Sequence, residues 1–166
     1  MPHASGVRRR EALWIVLAGG LVAGTLDLLF AWSFWAIRAE VPPTAILQSI
    51  AAGLLGPASR QGGALTALLG AVLHYLIAAT MAVTYASVAL RFPVLVRQPV
   101  RYGALYGGLL YVVMNHVVVP LSRAGPGSRL PLWVGLSIVV HLFLIGVPMA
   151  LAARRALAAV GDAPRG

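Results

Sequence analysis

Residues 12–37 read ALWIVLAGGLVAGTLDLLFAWSFWAI, and the reading of this stretch decides the fold. It carries a single charged side chain, Asp27. A helix needs about 20 apolar residues to cross about 30 Å of hydrocarbon, and this run exceeds that length. The rival reading is a cleaved signal peptide, because Arg8, Arg9 and Arg10 precede the run. Such a peptide has an apolar core of only about 7–15 residues ahead of a small-residue cleavage site. The longer run, with an acid near its middle, points to a helix that stays in the membrane.

Working outward, three more runs of the same kind follow, at 64–90, 102–121 and 132–153. None alternates in polarity as a barrel strand of about 10 residues would. Backbone groups in lipid must be paired within their own segment, so long apolar runs become helices. The fold class predicted is an all-α integral membrane protein, a bundle of four transmembrane helices. The domain organisation is a basic tail over 1–11, a membrane domain over 12–155 and a second tail over 156–166. Between the first two runs, Pro42-Pro43 breaks the first helix and can open another. Ile46, Leu47, Ile50, Leu54 and Leu55 then recur near helical spacing as far as Gly56-Pro57. This predicts a short helix over 44–56, too short to span, lying on the interface or dipping in and returning.

The composition agrees. Of 166 residues, 60% are hydrophobic and 10% charged, against about 45–50% and about 25% in a water-soluble domain. Such a chain is no ordinary cytosolic enzyme, disordered tail or nucleic-acid-binding domain. The net charge of +9 comes from 13 arginines gathered between the apolar runs, which is topology rather than nucleic-acid recognition. Nine fall on the side of the termini: Arg8, Arg9, Arg10, Arg91, Arg97, Arg101, Arg154, Arg155 and Arg165. Four (Arg38, Arg60, Arg123, Arg129) fall on the other. By the positive-inside rule both termini are cytoplasmic, with the bilayer and its anionic headgroups on that face as partners and no nucleic acid. Trp32, Trp35 and Trp133 fall near outer helix ends, Trp14 and Tyr102 near inner ones. The absence of cysteine excludes disulfide and thiolate chemistry.

Helices in lipid associate by close packing of small residues. Gly20, Gly24, Asp27 and Ala31 make one line on the first helix; Ala67, Ala71, His74, Ala78 and Ala82 make one on the second. Ala104, Gly107 or Gly108, Tyr111 and Asn115 line the third, and a weaker set, Ser137, His141 and Pro148, the fourth. The GxxxG pairs Gly20/Gly24 and Gly103/Gly107 could serve this bundle, a second copy of the chain or another membrane protein. From the helical rise, Asp27, His74 and His141 lie about 14–15 Å below the outer ends of their runs, and Asn115 about 9 Å.

These four residues form the candidate polar network. A carboxylate facing lipid at that depth is costly, so Asp27 should turn inward and share a proton or an ion pair with His74 or His141, with Asn115 completing the hydrogen bonding. The leading reading is non-enzymatic: a buried polar layer that fixes helix register, with no cofactor. The competing class is a proton or ion path through Asp27, His74 and His141, haem held by two of His74, His116 and His141, or a divalent metal on Asp27, His74 and His141. Pro148 removes a backbone bond to Leu144 and is read as a kink in the last helix. No nucleophile motif, phosphate-cradling loop or paired carboxylates points to a hydrolase or kinase.

Several stretches carry a resemblance: Gly24-Thr25-Leu26-Asp27, Ser49 to Gly56, Gly70 to Tyr75, Phe92-Pro93, Met114 to Ser122, His141-Leu142-Phe143 and Gly146-Val147-Pro148. Over about residues 18–155 the chain resembles a group of uncharacterised small four-pass bacterial proteins, and more distantly the YagU-like inner-membrane proteins. The resemblance implies a multi-pass protein of the bacterial inner membrane and supplies no catalytic residue.

Overall fold

A computed structural model describes residues 2–161; Met1 and the segment 162–166, the last five residues of the expected second tail with Arg165 among them, lie outside the described residues. The described chain is helical nearly throughout, and no strand occurs among the described residues. Helix α1 runs Pro2–Ala39, α2 Pro43–Leu55, α3 Gly63–Arg91 and α4, a single turn, Val94–Arg97. Helix α5 (Pro99–Leu121) and helix α6 (Pro131–Gly161) complete the chain. Four of these, α1, α3, α5 and α6, are long and apolar enough to cross a membrane. The expected tail over 1–11 is largely helical, because α1 starts nine residues or more before the apolar run, and α6 likewise continues past 155 as far as Gly161.

Local signals place the ends. Pro42 precedes α2 in an extended conformation and Pro43 occupies its first turn, where a missing N–H costs nothing. Gly56 closes the helix at φ 66°, a left-handed conformation suited to glycine. Pro93 and Pro99 bracket α4, whose Leu95 carbonyl accepts a hydrogen bond from the Tyr85 hydroxyl at 3.0 Å.

The packing is inverted relative to a water-soluble bundle. The buried residues are mostly alanine (Ala23, Ala78, Ala82, Ala150 and Ala153 among them), while Trp14, Leu68 and Leu105 face outward at 70%, 62% and 62% exposure. Small residues inside let the backbones approach, and apolar bulk outside suits a hydrocarbon surround. Helix α6 is central, packing on α1, α3 and α5, while α1 also packs on α3 and α2 lies on α3. Both GxxxG pairs are spent within the chain. Gly20 and Gly24 meet Ala78 on α3, and Gly103 and Gly107 meet the backbone of α6.

At the end that carries both termini, the helices close tightly. A Cβ on Gly19 would collide with Ala152, and the Tyr106 hydroxyl donates to the Met81 carbonyl at 2.8 Å. At the opposite end α1 and α6 are bridged instead by aromatic rings. Phe30 stacks on Trp133 with centroids 5.2 Å apart, and Phe34 and Trp35 pack on the same indole at 5.0 and 5.3 Å. Two stretches depart from the α-helical pattern. Met114–Val118 in α5 and His141–Gly146 in α6 are π-helical.

Candidate functional site

Between the closed end and the aromatic bridge lies a cavity of about 300 Å³, walled by all four long helices and by Ile46, Ser49 and Ile50 of α2. Asp27 of α1, His74 of α3, Asn115 of α5, and Ser137 and His141 of α6 all line it. Met81, Ile145, Met149, Phe30, Trp35 and Trp133 supply apolar wall. A partly open, largely apolar pocket with a few convergent polar groups is the usual form of a small-molecule site, and this volume is at the small end of about 300–1,000 Å³.

The structure therefore gathers the four expected residues around one space, though not as a buried layer. Asp27, His74 and His141 are half-buried and Asn115 is exposed. They border a cavity instead of filling the gap between helices. Nor do they bond to one another. The His74 Nε2–H donates to the Gly24 carbonyl at 2.8 Å, and the His141 Nδ1–H donates to the Ser137 carbonyl at 2.8 Å. A carbonyl can only accept, so these bonds fix which ring nitrogen holds the proton. The approach of His74 to Gly24 is close, and an added Cβ would press its neighbours apart by a few tenths of an ångström. A Cβ there would lie 3.3 Å from Nε2 and 3.1 Å from the Ala78 Cβ. The Asn115 amide is turned back onto its own helix, its Nδ2–H donating to the Tyr111 carbonyl at 3.0 Å.

Two groups are left over. The Asp27 carboxylate, which borders the cavity, makes no hydrogen bond or ion pair to a described residue. The Ser137 hydroxyl is buried and has no hydrogen-bond partner. Buried polar groups are paired as a rule, so the Ser137 hydroxyl is free to bond to whatever occupies the cavity; Ser59 Oγ is a second unpaired hydroxyl, away from the cavity. The expected Asp27–histidine ion pair is thus replaced by two histidine–carbonyl bonds, which leave the acid free to face the cavity.

His116 points elsewhere. Its Nδ1–H donates to the Val112 carbonyl at 3.3 Å, and the side chain lines a second, more open hollow between the outer halves of α5 and α6, with Arg129 and the 122–128 loop. Asn115 lines both spaces. This separates His116 from the pair His74 and His141. Among the described residues no three histidine or acidic side chains converge closely enough to hold a metal ion, Asp27, His74 and His141 included.

Sequence reasoning missed Ser137 as a site group and missed the π-helical stretches that carry Asn115 and His141. The signals were Pro120 and Pro148. Each lacks an N–H, and its ring crowds the carbonyl four residues back, so His116 and Leu144 lose their α-helical partners. A π turn re-pairs the carbonyls around such a gap, and π segments occur mostly as single turns inside α-helices, frequently at functional sites. The chain matches no protein-family model, no curated protein and no solved structure.

Proposed function

We propose that this is a four-pass protein of the bacterial inner membrane, with both termini in the cytoplasm, whose working part is the polar cavity and whose Asp27 exchanges a proton there. Membrane insertion is supported by four long apolar helices whose outward faces carry large hydrophobic side chains. A continuous apolar surface of that extent has no place in water. Orientation is supported by the distribution of arginines along the sequence, nine in the two terminal segments and the α3–α5 connection against four in the other two connections, with anionic lipid headgroups as their partners. In this arrangement α2 lies at the outer interface, and the chain belongs with the small four-pass proteins it resembles.

The observation that carries the functional reading is the free carboxylate of Asp27 near the middle of the apolar run of α1, on one cavity with two histidines whose N–H groups are already committed to carbonyls. An acid serving only as interhelical glue would be bonded to its neighbours. Here the cavity itself is the partner, through water or a small solute. The lone pairs left on His74 Nδ1 and His141 Nε2 are acceptors for a proton leaving Asp27. The role is one of binding and proton exchange and assigns no covalent chemistry.

Infrared difference spectroscopy on the purified full chain in lipid tests this. There are only four acidic side chains, Glu11, Asp27, Glu40 and Asp162, so the carboxyl region is simple. A pH jump should reveal the C=O stretch of a protonated carboxyl that is shielded from bulk water and vanishes in Asp27→Asn. The same band persisting in the variant would refute the assignment.

A further inference from the structure

We infer that the cavity is a binding site for a small organic ammonium ion, held through its charge by Asp27 and through its apolar substituents by the aromatic wall of Phe30, Trp35 and Trp133. The inference rests on the reading of Asp27 as a carboxyl that exchanges its proton. The hydrogen-bonding polarity of the lining is the argument. His74 and His141 have each spent their N–H on a backbone carbonyl, and Asn115 has spent an amide N–H the same way. What remains counts more acceptors than donors: two carboxylate oxygens on Asp27, a ring nitrogen on each neutral histidine and the Asn115 carbonyl oxygen, against the second Asn115 amide N–H and the indole N–H groups of Trp35 and Trp133. The unpartnered Ser137 hydroxyl can act in either sense. No arginine lines the cavity. A site rich in acceptors, with an acid and no fixed cation, selects a ligand that brings donors and positive charge.

The shape then narrows the class. A bare metal ion needs several ligands at short range, and no such set converges here. The space of about 300 Å³ corresponds to about ten water molecules at about 30 Å³ each, more than an inorganic ion requires. Much of its lining is apolar or aromatic, suited to carbon substituents and to the attraction of cations for aromatic rings. Binding and proton exchange are also linked. The ammonium ion requires Asp27 ionised, so its entry expels the Asp27 proton. The titratable groups facing Asp27 across the cavity are His74 from α3 and His141 from α6, while α2 and α5 present Ser49 and Asn115.

Three probes of one shape and different charge test the class: tert-butylammonium, tert-butanol and pivalate. Full-length protein in lipid nanodiscs is titrated with each while tryptophan fluorescence is followed, since Trp35 and Trp133 line the cavity. Saturable binding of tert-butylammonium is expected, with tert-butanol and pivalate at least about ten-fold weaker, and with about ten- to hundred-fold loss in Asp27→Asn. Equal binding of tert-butanol, preference for pivalate, or displacement of the amine by millimolar sodium would each overturn the inference. The comparison of probes on the unaltered protein decides the matter even if Asp27→Asn does not fold. If no probe binds while the infrared band of Asp27 still titrates, the ammonium site falls and the proton-exchanging carboxyl stands. If the band is absent as well, both fall.

Discussion

Two adjacent glycines on α5 should respond in opposite ways to the same added methyl group. A Cβ on Gly107 would stand 1.8 Å from the His141 carbonyl oxygen, 2.6 Å from its carbon and 2.9 Å from the Leu142 Cα. All three are backbone atoms of α6, so no rotamer change relieves the clash. Restoring a normal contact of about 3.5 Å requires α5 and α6 to separate by well over an ångström, at the place where His141 faces the cavity. Overpacking that side chains can absorb costs about 1–3 kcal/mol, and a backbone collision belongs at or above the top of that range. Gly108 is the control. Its nearest neighbour for a Cβ is the Leu142 Cδ1 at 3.8 Å, an ordinary contact. There, alanine should be neutral or should stabilise by up to about 1 kcal/mol through helix propensity. Unfolding of the full chain in mixed micelles, followed by circular dichroism, should therefore place Gly107→Ala about 3 kcal/mol below the unaltered protein and Gly108→Ala level with it or above. Equal effects of the two substitutions would refute the close approach of α5 to α6 and, with it, the placement of His141.

The remaining expectations can be checked with simple variants. Gly70→Ala puts a Cβ 1.8 Å from the Leu47 carbonyl oxygen and should loosen α2 from α3, read as faster amide exchange confined to 43–55. Tyr106→Phe removes the hydroxyl bonded to the Met81 carbonyl and should cost about 0.6–1.7 kcal/mol in the same unfolding assay, with no change in the Asp27 infrared band. Because the chain contains no cysteine, single cysteines report topology cleanly. In intact cells an impermeant maleimide should label Arg129→Cys and spare Arg97→Cys, and the reverse pattern would invert the proposed orientation.

The four long helices were legible because each depends on a local property, about 20 residues without charge, that no tertiary contact can override in lipid. That Asp27, His74 and His141 line one cavity agrees with two readings taken together, equal distance from the run ends and a place on each helix's small-residue face. How those groups bond was not legible. Whether a histidine meets an acid or a carbonyl turns on ring orientation and on small residues nearby. Gly24, read from the sequence only as a packing position, supplies the carbonyl that His74 meets, at a close approach a Cβ would crowd. Asn115 likewise lies on the expected face but turns its amide onto Tyr111, a choice made by the local helix.

The α6 stripe shows why a fixed period could not find the whole site. Ser137, His141, Ile145 and Met149 all line the cavity, each four residues after the last. In a regular α-helix, positions four apart drift by about 40° at each step, so the last of these would lie about 120° around from the first. Reading at 3.6 residues per turn therefore assigns Ser137 and His141 to the stripe and then loses it toward Pro148. The π-helical stretch His141–Gly146 holds more residues in its turn and removes that drift. It keeps one face of α6 on the cavity while Gly146 on another meets Gly103 and Gly107 of α5. Both demands fall within a single turn, on the serine–histidine line and on the glycine contact. An unbroken α-helix would meet one and miss the other. Pro148, by withholding its N–H from the Leu144 carbonyl, favours the wider turn that satisfies both. In α5 the arrangement is parallel, with Pro120 following the π-helical stretch that carries Asn115. The two prolines are in this sense part of the site although neither lines the cavity. Substituting Pro148 by alanine should restore regular α-helix, rotate His141 relative to Met149, and diminish ammonium binding while leaving the four-helix fold in place.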